Sequence, residues 1–493
     1  MNEFSVQTRA ANLAVMAERP LDVLVIGGGI VGAWIAATAA VRGYRVGLVE
    51  KGDFASGTSG KTSRLIHGGL RYLQRFRIRV VRQAARERDV LLRIAPDLVR
   101  PLTFLLPVYR GRGPKGWQLR FGLWLYDALS REHALPKRVW VSREEALGRE
   151  PALNPEGLVR GVLYSDAITR DARLVLRVVR AAADAGALVA NYAAVTELIR
   201  EEGRVRGAKV RDGEDGSVRD VRARVVINAT GVWVGDLQDP ARRLRLRPTK
   251  GIHLFVRRDR LGSEGAVVLP TRDRRIVFVL PWGELALIGT TDTDHRGDRE
   301  RVAAAPADVE YLLAAVNEGF PRARLTAKDV VSTYAGLRPL IDTGERRESD
   351  ISRAHEILVD PDGLVSVAGG KLTTGRAMAV DVLRRIASSL PPNTKAVETR
   401  ALSLAGPEPD LGGDVGKAAI HAARHEMAVH VDDVLVRRLG IYYERKDHAL
   451  GDVAAVVNAL GDELRWNEER RRREMERLRN LVAEGEAWRG GRR

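Results

Sequence analysis

The run from Asp22 to Glu50 constrains this chain more than any other stretch. Asp22–Ile26 (DVLVI) is a short apolar run of the kind that forms a buried parallel strand. It leads directly into Gly27-Gly28-Gly29-Ile30-Val31-Gly32. Ala33–Val41 is Ala-rich and suits a helix, which Arg42-Gly43 closes, because glycine is the usual residue just past a helix end. Arg45–Val49 reads as a second strand and ends on Glu50. Strand, glycines, helix, strand and acid in that order make a βαβ dinucleotide-binding unit.

A glycine triplet alone is a weak signal, but this one has an acid 18 residues after its last glycine. Each part has a physical task. Gly27 allows the tight turn, Gly29 lets the backbone approach a pyrophosphate, and Gly32 lets the helix pack on the strand. The helix N-terminus adds amide donors and partial positive charge. Glu50 would accept ribose hydroxyls and repel a 2′-phosphate, which argues against NADP. The alternative is a glycine-rich turn that binds nothing.

The segment that follows, SGTSGKTSRLIHGGLRYL (56–73), is polar and then apolar. A long polar loop directly after the acid suits a chain that wraps a flavin, so FAD is the expected dinucleotide. Within it Thr58, Ser59, Ser63, His67 and Gly69 are candidate cofactor contacts. Nine arginines against three acids between Arg71 and Arg100 read mostly as a solvated helix face. Two further strand-to-glycine junctions occur, at INATGVWV around Gly231 and VAGGKLTTGR around Gly370. One cofactor on one sheet would gather all three junctions, because ligands sit at the carboxyl ends of the strands.

The expected architecture is therefore α/β. A discontinuous, Rossmann-like FAD-binding domain takes residues 20–90, 165–235 and 335–400. An inserted, mostly antiparallel β-sheet substrate or cap domain takes 91–164 and 236–334, and a helical domain takes 401–493.

Composition closes several alternatives. With no cysteine among 493 residues, the chain has no disulfide, Cys zinc site, iron–sulfur cluster or thiol nucleophile. No metal site is expected. No apolar stretch reaches the ~18–20 residues of a spanning helix. Arg9, Glu18 and Arg19 break any signal-peptide core. The net charge of +17 suits nucleic acid, anionic lipid or an anionic small substrate. Glu468, Glu469, Glu474 and Glu476 flank the Arg470–Arg473 run, a pattern of salt-bridged helix more than of a nucleic-acid arm. A tRNA-binding flavoprotein is thus the weaker alternative, and no nucleic-acid partner is expected.

DVLVIGGGIVGA, SRLIHGGLRYL, INATGVWV, KGIHLFV, FVLPW, GTTDTD, YAGLRPL and VAGGKLTTGR stand in the order found in FAD-dependent glycerol-3-phosphate dehydrogenases. The sequence resembles that family over roughly residues 20–380, and HAARHEMAVHVDDVLVRRLG (421–440) resembles its C-terminal helical domain. The broader fold resembles the glycine and D-amino-acid oxidases. The resemblance implies oxidation of sn-glycerol 3-phosphate to dihydroxyacetone phosphate, with electrons passing through FAD to membrane quinone. The related oxidase, which uses O2, is the alternative. It also implies a cytoplasmic protein, peripheral on the cytoplasmic face of the membrane. Whether it forms a homodimer is left open.

Removing hydride from an alcohol carbon needs a base for the hydroxyl proton. On the residues alone His253, in KGIHLFV, is more simply a hydrogen-bonded sheet histidine; the resemblance makes it the base. A phosphate dianion needs cations with several donors. Arg71, Arg338 and Lys371 stand inside motifs beside glycine junctions, with Tyr72 and Arg353 behind them, and the resemblance places them around the substrate. His253, Arg338 and Lys371 are the expected catalytic set, and Leu372 and Thr373 would face the flavin. Asp292 in GTTD reads as a structural acid. Residues 115–126 (KGWQLRFGLWLY), which mix tryptophans with cations, are a candidate membrane-docking surface. Two positions depart from the family pattern: Gly375 where a bulky aromatic often follows KLTT, and Trp34 where a small residue is common.

Overall fold

The computed structural model describes residues 3–69, 78–111, 122, 124–125, 135–273, 275–342, 355–392, 398–406 and 409–490. Arg71, Tyr72, Arg353 and most of the 115–126 segment lie outside the described residues.

The first sheet forms around the apolar run read above. Its main path is His355–Val359, Val365–Gly369, Val218–Asn228, Leu21–Ile26, Val46–Val49 and Leu188–Ala190. Every neighbouring pair on this path is parallel except the outermost, His355–Val359 with Val365–Gly369. Both faces of the central strand are covered, which is why it is apolar at nearly every position. Val23 and Val25 pack among the helices Ile30–Val41, Asp171–Asp184 and Gly375–Arg385. Leu24 and Ile26 pack on the other side against the N-terminal helix Val6–Glu18 and the antiparallel ribbon of Ala193–Glu201 and Arg204–Asp212.

Among the described residues the second sheet has ten strands. Its path runs Thr293–Asp294, Thr249–Arg257, Leu285–Gly289, Ile276–Trp282, Ala266–Pro270, Val99–Tyr109, Leu158–Thr169 and Leu65–Ile66. Val330–Arg338 pairs with Thr249–Arg257, and Val139–Val141 with Leu158–Thr169. All pairs are antiparallel but one, Ala266–Pro270 beside Val99–Tyr109. The stretch 20–90 thus sends Leu65–Ile66 into this sheet.

Period-two alternation sorts the Thr249–Arg257 strand. Ile252, Leu254 and Val256 join the core under the helix Pro306–Gly319. Phe255, on the opposite face, packs toward the C-terminal helices Val415–His425, Val453–Glu463 and Glu468–Glu486. His253 shares that opposite face.

One arginine departs from the solvated face expected of the 71–100 stretch. Arg88 on the helix Ile78–Ile94 is 2% exposed and bonds Asp89 and Asp166. Asp166 also accepts the Gly68 amide at 3.2 Å, so the pair steadies the loop between the two sheets.

Candidate active site

A cleft of ≈ 540 Å³ lies between the sheets, and the three glycine junctions meet in it. Gly27 has φ +112°, and a β-carbon there would stand 2.6 Å from the Ala229 carbonyl oxygen. A β-carbon on Gly32 would collide with the carbonyl oxygen of Gly27, so this glycine sits beneath the turn rather than on the cleft wall. Gly29 caps the helix Ile30–Val41 with no side chain of its own to cover the first turn. Ser59 Oγ accepts the Ile30 amide at 2.9 Å and draws the polar loop across that turn.

Glu50 accepts amides from Gly28 at 2.6 Å and Gly52 at 2.9 Å. Burial pushes its carboxyl up, and the two amides partly offset the rise. The middle glycine, Gly28, is therefore needed too. A β-carbon on Gly28 would stand 2.6 Å from Phe54 and 2.8 Å from Glu50 Cβ.

Gly27, Gly29, Glu50, Thr58, Ser59, Gly231, Gly370, Lys371 and Leu372 all line the cleft. Thr58 donates to the Leu337 carbonyl at 2.6 Å, which ties the loop to the second sheet. Lys61 also lines the cleft, with burial and Arg437 holding its ammonium below the usual lysine range; sequence reasoning missed it. Ser63, His67, Gly69, His253, Arg338 and Thr373 do not line it. The His67 amide instead donates to Thr373 Oγ1 at 3.3 Å, and Ser63 turns toward His253.

His253 is 2% exposed. Its ring stacks on Tyr334, centroids 4.8 Å apart at 16°, and a β-carbon on the cross-strand Gly289 would collide with it. Nε2 lies 2.8 Å from Ser63 Oγ, while Nδ1 has no hydrogen-bond partner among the described residues. Burial, then the cations of Arg338 and Arg64, hold its pKa well below the usual histidine value, so the ring is neutral.

Arg338 ends the Val330–Arg338 strand opposite Thr249. It donates to Asp292 Oδ1 at 3.2 Å, Thr290 Oγ1 at 2.9 Å and the Thr291 carbonyl at 3.2 Å. Its guanidinium lies over Gly251, where any β-carbon would collide with it. Gly251 is two residues from His253, so the cation and the imidazole sit side by side on one face. Asp292 is the structural acid expected of it. The need for glycine at 251 and 289 was missed, although Gly251 stands in KGIHLFV and Gly289 opens GTTD.

The cleft fits a flavin dinucleotide. It has a glycine turn, an open helix start, an acid beside that turn and a second sheet facing the far end. No group of three or more His, Cys, Asp or Glu among the described residues could hold a metal ion.

Fold and cleft together define a dinucleotide-dependent oxidoreductase of the two-sheet flavoprotein class. Residues 22–383 match the family model described as FAD dependent oxidoreductase. Residues 394–471 match the model described as the C-terminal domain of alpha-glycerophosphate oxidase. The chain is 39% identical over 464 residues to glycerol-3-phosphate dehydrogenase of Mycobacterium leprae, covering 92% of this chain and 77% of that one. The crystal structure of glycerol-3-phosphate dehydrogenase from Bacillus halodurans complexed with FAD superposes with a TM-score of 0.80 at 29% identity, covering 98% of each chain. Glycine oxidase from Geobacillus kaustophilus shares the fold, with a TM-score of 0.56 over 79% of this chain and 100% of that chain at 22% identity. The chain belongs to the FAD dependent oxidoreductase family, in its glycerol-3-phosphate dehydrogenase branch.

Proposed function

We propose that this chain is an FAD-dependent dehydrogenase that oxidises sn-glycerol 3-phosphate to dihydroxyacetone phosphate and passes the electrons to a membrane quinone. The observation that carries the reading is the neutral His253 beside the anchored guanidinium of Arg338. An alcohol bearing a phosphate needs a proton acceptor and a fixed cation close to one another.

Bound FAD supplies the hydride acceptor. The chain's own residues do the rest. Gly27, Gly29 and the first turn of the Ile30–Val41 helix would hold the pyrophosphate, and Glu50 the ribose. His253 takes the hydroxyl proton. Burial and the cations of Arg338 and Arg64 disfavour its imidazolium, and a phosphate held beside Arg338 adds negative charge that eases proton uptake. Arg338 and Lys371 hold the phosphate, joined by Arg71, Tyr72 and Arg353 on the strength of the family resemblance. Ser63 orients the His253 ring through Nε2.

The test is anaerobic mixing of the holoenzyme with glycerol 3-phosphate. Bleaching of the flavin absorbance is expected, with far slower bleaching by glycerol. Equal rates with both would remove the phosphate site.

The match of residues 394–471 to an oxidase domain favours one second reading, with O2 as acceptor. Turnover with a quinone analogue, compared with turnover in oxygenated buffer, separates the two. Quinone use requires docking to a bilayer. Among the described residues no helix is long and apolar enough to cross one, so docking would use a surface. Trp124, 53% exposed, stands in the candidate 115–126 segment. Co-sedimentation with anionic liposomes, lost in high salt and in Trp117→Ser/Trp124→Ser, is the expected result.

A further inference from the structure

One face of the 50–60 loop, residues 50–52 and 55–59, lines the cofactor cleft. Asp53, in the same loop, is not on that wall. Its side chain is 1% exposed and meets two arginines from the other end of the chain. Arg437 Nε lies 2.5 Å from Asp53 Oδ2, and the Arg438 guanidinium spans both carboxylate oxygens. Both arginines stand on Asp433–Arg438, a π-helical turn, a rare element that is frequent at functional sites.

The contact is braced on both sides. Asn191 donates to Asp53 Oδ1 at 3.0 Å and to the Met427 carbonyl at 2.9 Å. Arg438 donates to the Glu426 carbonyl at 2.7 Å. Arg437 also bonds Asp432 and Asp433, Arg477 bonds Asp432, and Tyr192 donates to Asp433 at 2.5 Å. Three carboxylates and three guanidiniums thus close a charge-balanced cluster, buried except at Arg477, between the cofactor loop and the C-terminal helices. With either arginine removed, the buried Asp53 carboxylate would keep only part of its compensation.

We infer that the C-terminal helical domain is part of the cofactor site, with Arg437 and Arg438 as positioning residues that hold the 50–60 loop over the FAD cleft through Asp53. The role asks nothing of the electron acceptor or of the substrate. It accounts for a charge cluster that the oxidation chemistry does not use, and it predicts coupling in both directions. Loosening the arginines loosens FAD, and FAD binding must steady the turn around Arg438 by the same factor.

The experiment measures FAD release from diluted holoenzyme by the recovery of free-flavin fluorescence. Arg438→Met should release FAD at least tenfold faster, and Asp53→Leu/Arg438→Met, which removes both charges, should recover part of the loss. At saturating FAD, KM for glycerol 3-phosphate should stay within twofold of wild type. Leu478→Ala is the control, because Leu478 is fully buried among the same C-terminal helices and is not on the cleft wall. It should lower Tm and leave FAD release unchanged. Arg438→Met releasing FAD at the wild-type rate, or no faster than Leu478→Ala, overturns the inference. The wild-type protein gives a second test if Arg438→Met does not fold. Hydrogen exchange at 429–439 should slow when excess FAD is added to partly depleted enzyme, and exchange that does not respond to FAD overturns the inference equally.

Discussion

Gly375 lies against the indole of Trp34: a β-carbon at 375 would stand 2.9 Å from Trp34 Cδ1 and 2.9 Å from Ile30 Cγ1. In the sequence these two residues look like separate departures from the family pattern. In the fold they are neighbours, and the Trp34 side chain on the Ile30–Val41 helix fills the space that a large residue at 375 would need. Trp34 is 1% exposed, so the volume is fully used.

That relationship gives a stability prediction. Trp34→Ala should cost about 3–5 kcal/mol through the cavity it leaves. Gly375→Tyr alone should also destabilise, by overpacking. The double variant Trp34→Ala/Gly375→Tyr should be markedly more stable than the sum of the two losses predicts. Urea denaturation of all four proteins closes the cycle, and simple additivity would mean the residues do not share a site.

The anchoring of Arg338 predicts how remote changes reach the substrate. Gly251→Ala places a methyl where the guanidinium now lies, and Asp292→Asn removes the charge that fixes it. Both should raise KM for glycerol 3-phosphate about tenfold or more, with a smaller loss in kcat. His253→Ala should instead slow anaerobic flavin reduction by about 10²–10⁴. Steady-state and stopped-flow measurements separate the two patterns, and a reduction rate unchanged in His253→Ala would take the histidine out of the reaction.

The glycine turn predicts cofactor loss. Gly32→Ala forces a methyl into the Gly27 carbonyl, a backbone atom that cannot move without opening the turn. This variant should purify largely colourless, while wild type purifies yellow with one FAD per chain. With no cysteine for a thioether link, acid precipitation of wild type should leave the flavin in the supernatant. A yellow pellet would disprove non-covalent binding.

His430 makes stability pH-dependent on the alkaline side. Burial pulls its pKa down, but Glu214, Glu474 and Asp433 override this and push it up to about 9, from 6.5. The folded state therefore holds the proton more tightly than the unfolded chain. The stabilisation is complete below pH 6.5 and is lost as pH rises through about 9. A rise of that size corresponds to about 3 kcal/mol. His253 acts in the opposite sense: below pH 6.5 the unfolded chain takes up a proton that the buried ring refuses, so acid destabilises. Urea midpoints should fall from pH 6.5 to 9 in wild type, and His430→Gln should flatten that slope. An unchanged slope would place the proton elsewhere.

Much of the cofactor half is legible in the chain because its requirements are local. Gly27, Gly29, Gly32 and Glu50 serve one turn and one helix start, and a βαβ unit must write those residues close together. Thr58, Ser59, Gly231, Gly370, Lys371 and Leu372 reach the same cleft because each stands at a strand or loop end in one sheet system. Ser63 carries no such local mark. A hydroxyl in a polar loop suits a cofactor, and only the pairing of the sheets brings it to His253 instead.

The sequence by itself determined the βαβ unit, the class of cofactor, the absence of thiol chemistry and the segments that supply the site. These follow from side-chain periodicity and from backbone freedom at glycine, which act over a few residues. Tertiary structure alone decided which side chains meet. It set Arg338 over Gly251, joined Gly375 to Trp34, and bound Asp53 to arginines 384 and 385 residues away. Such contacts leave no periodic trace, because a buried charge or a filled volume is satisfied by whatever neighbour the packing delivers, at any distance along the chain.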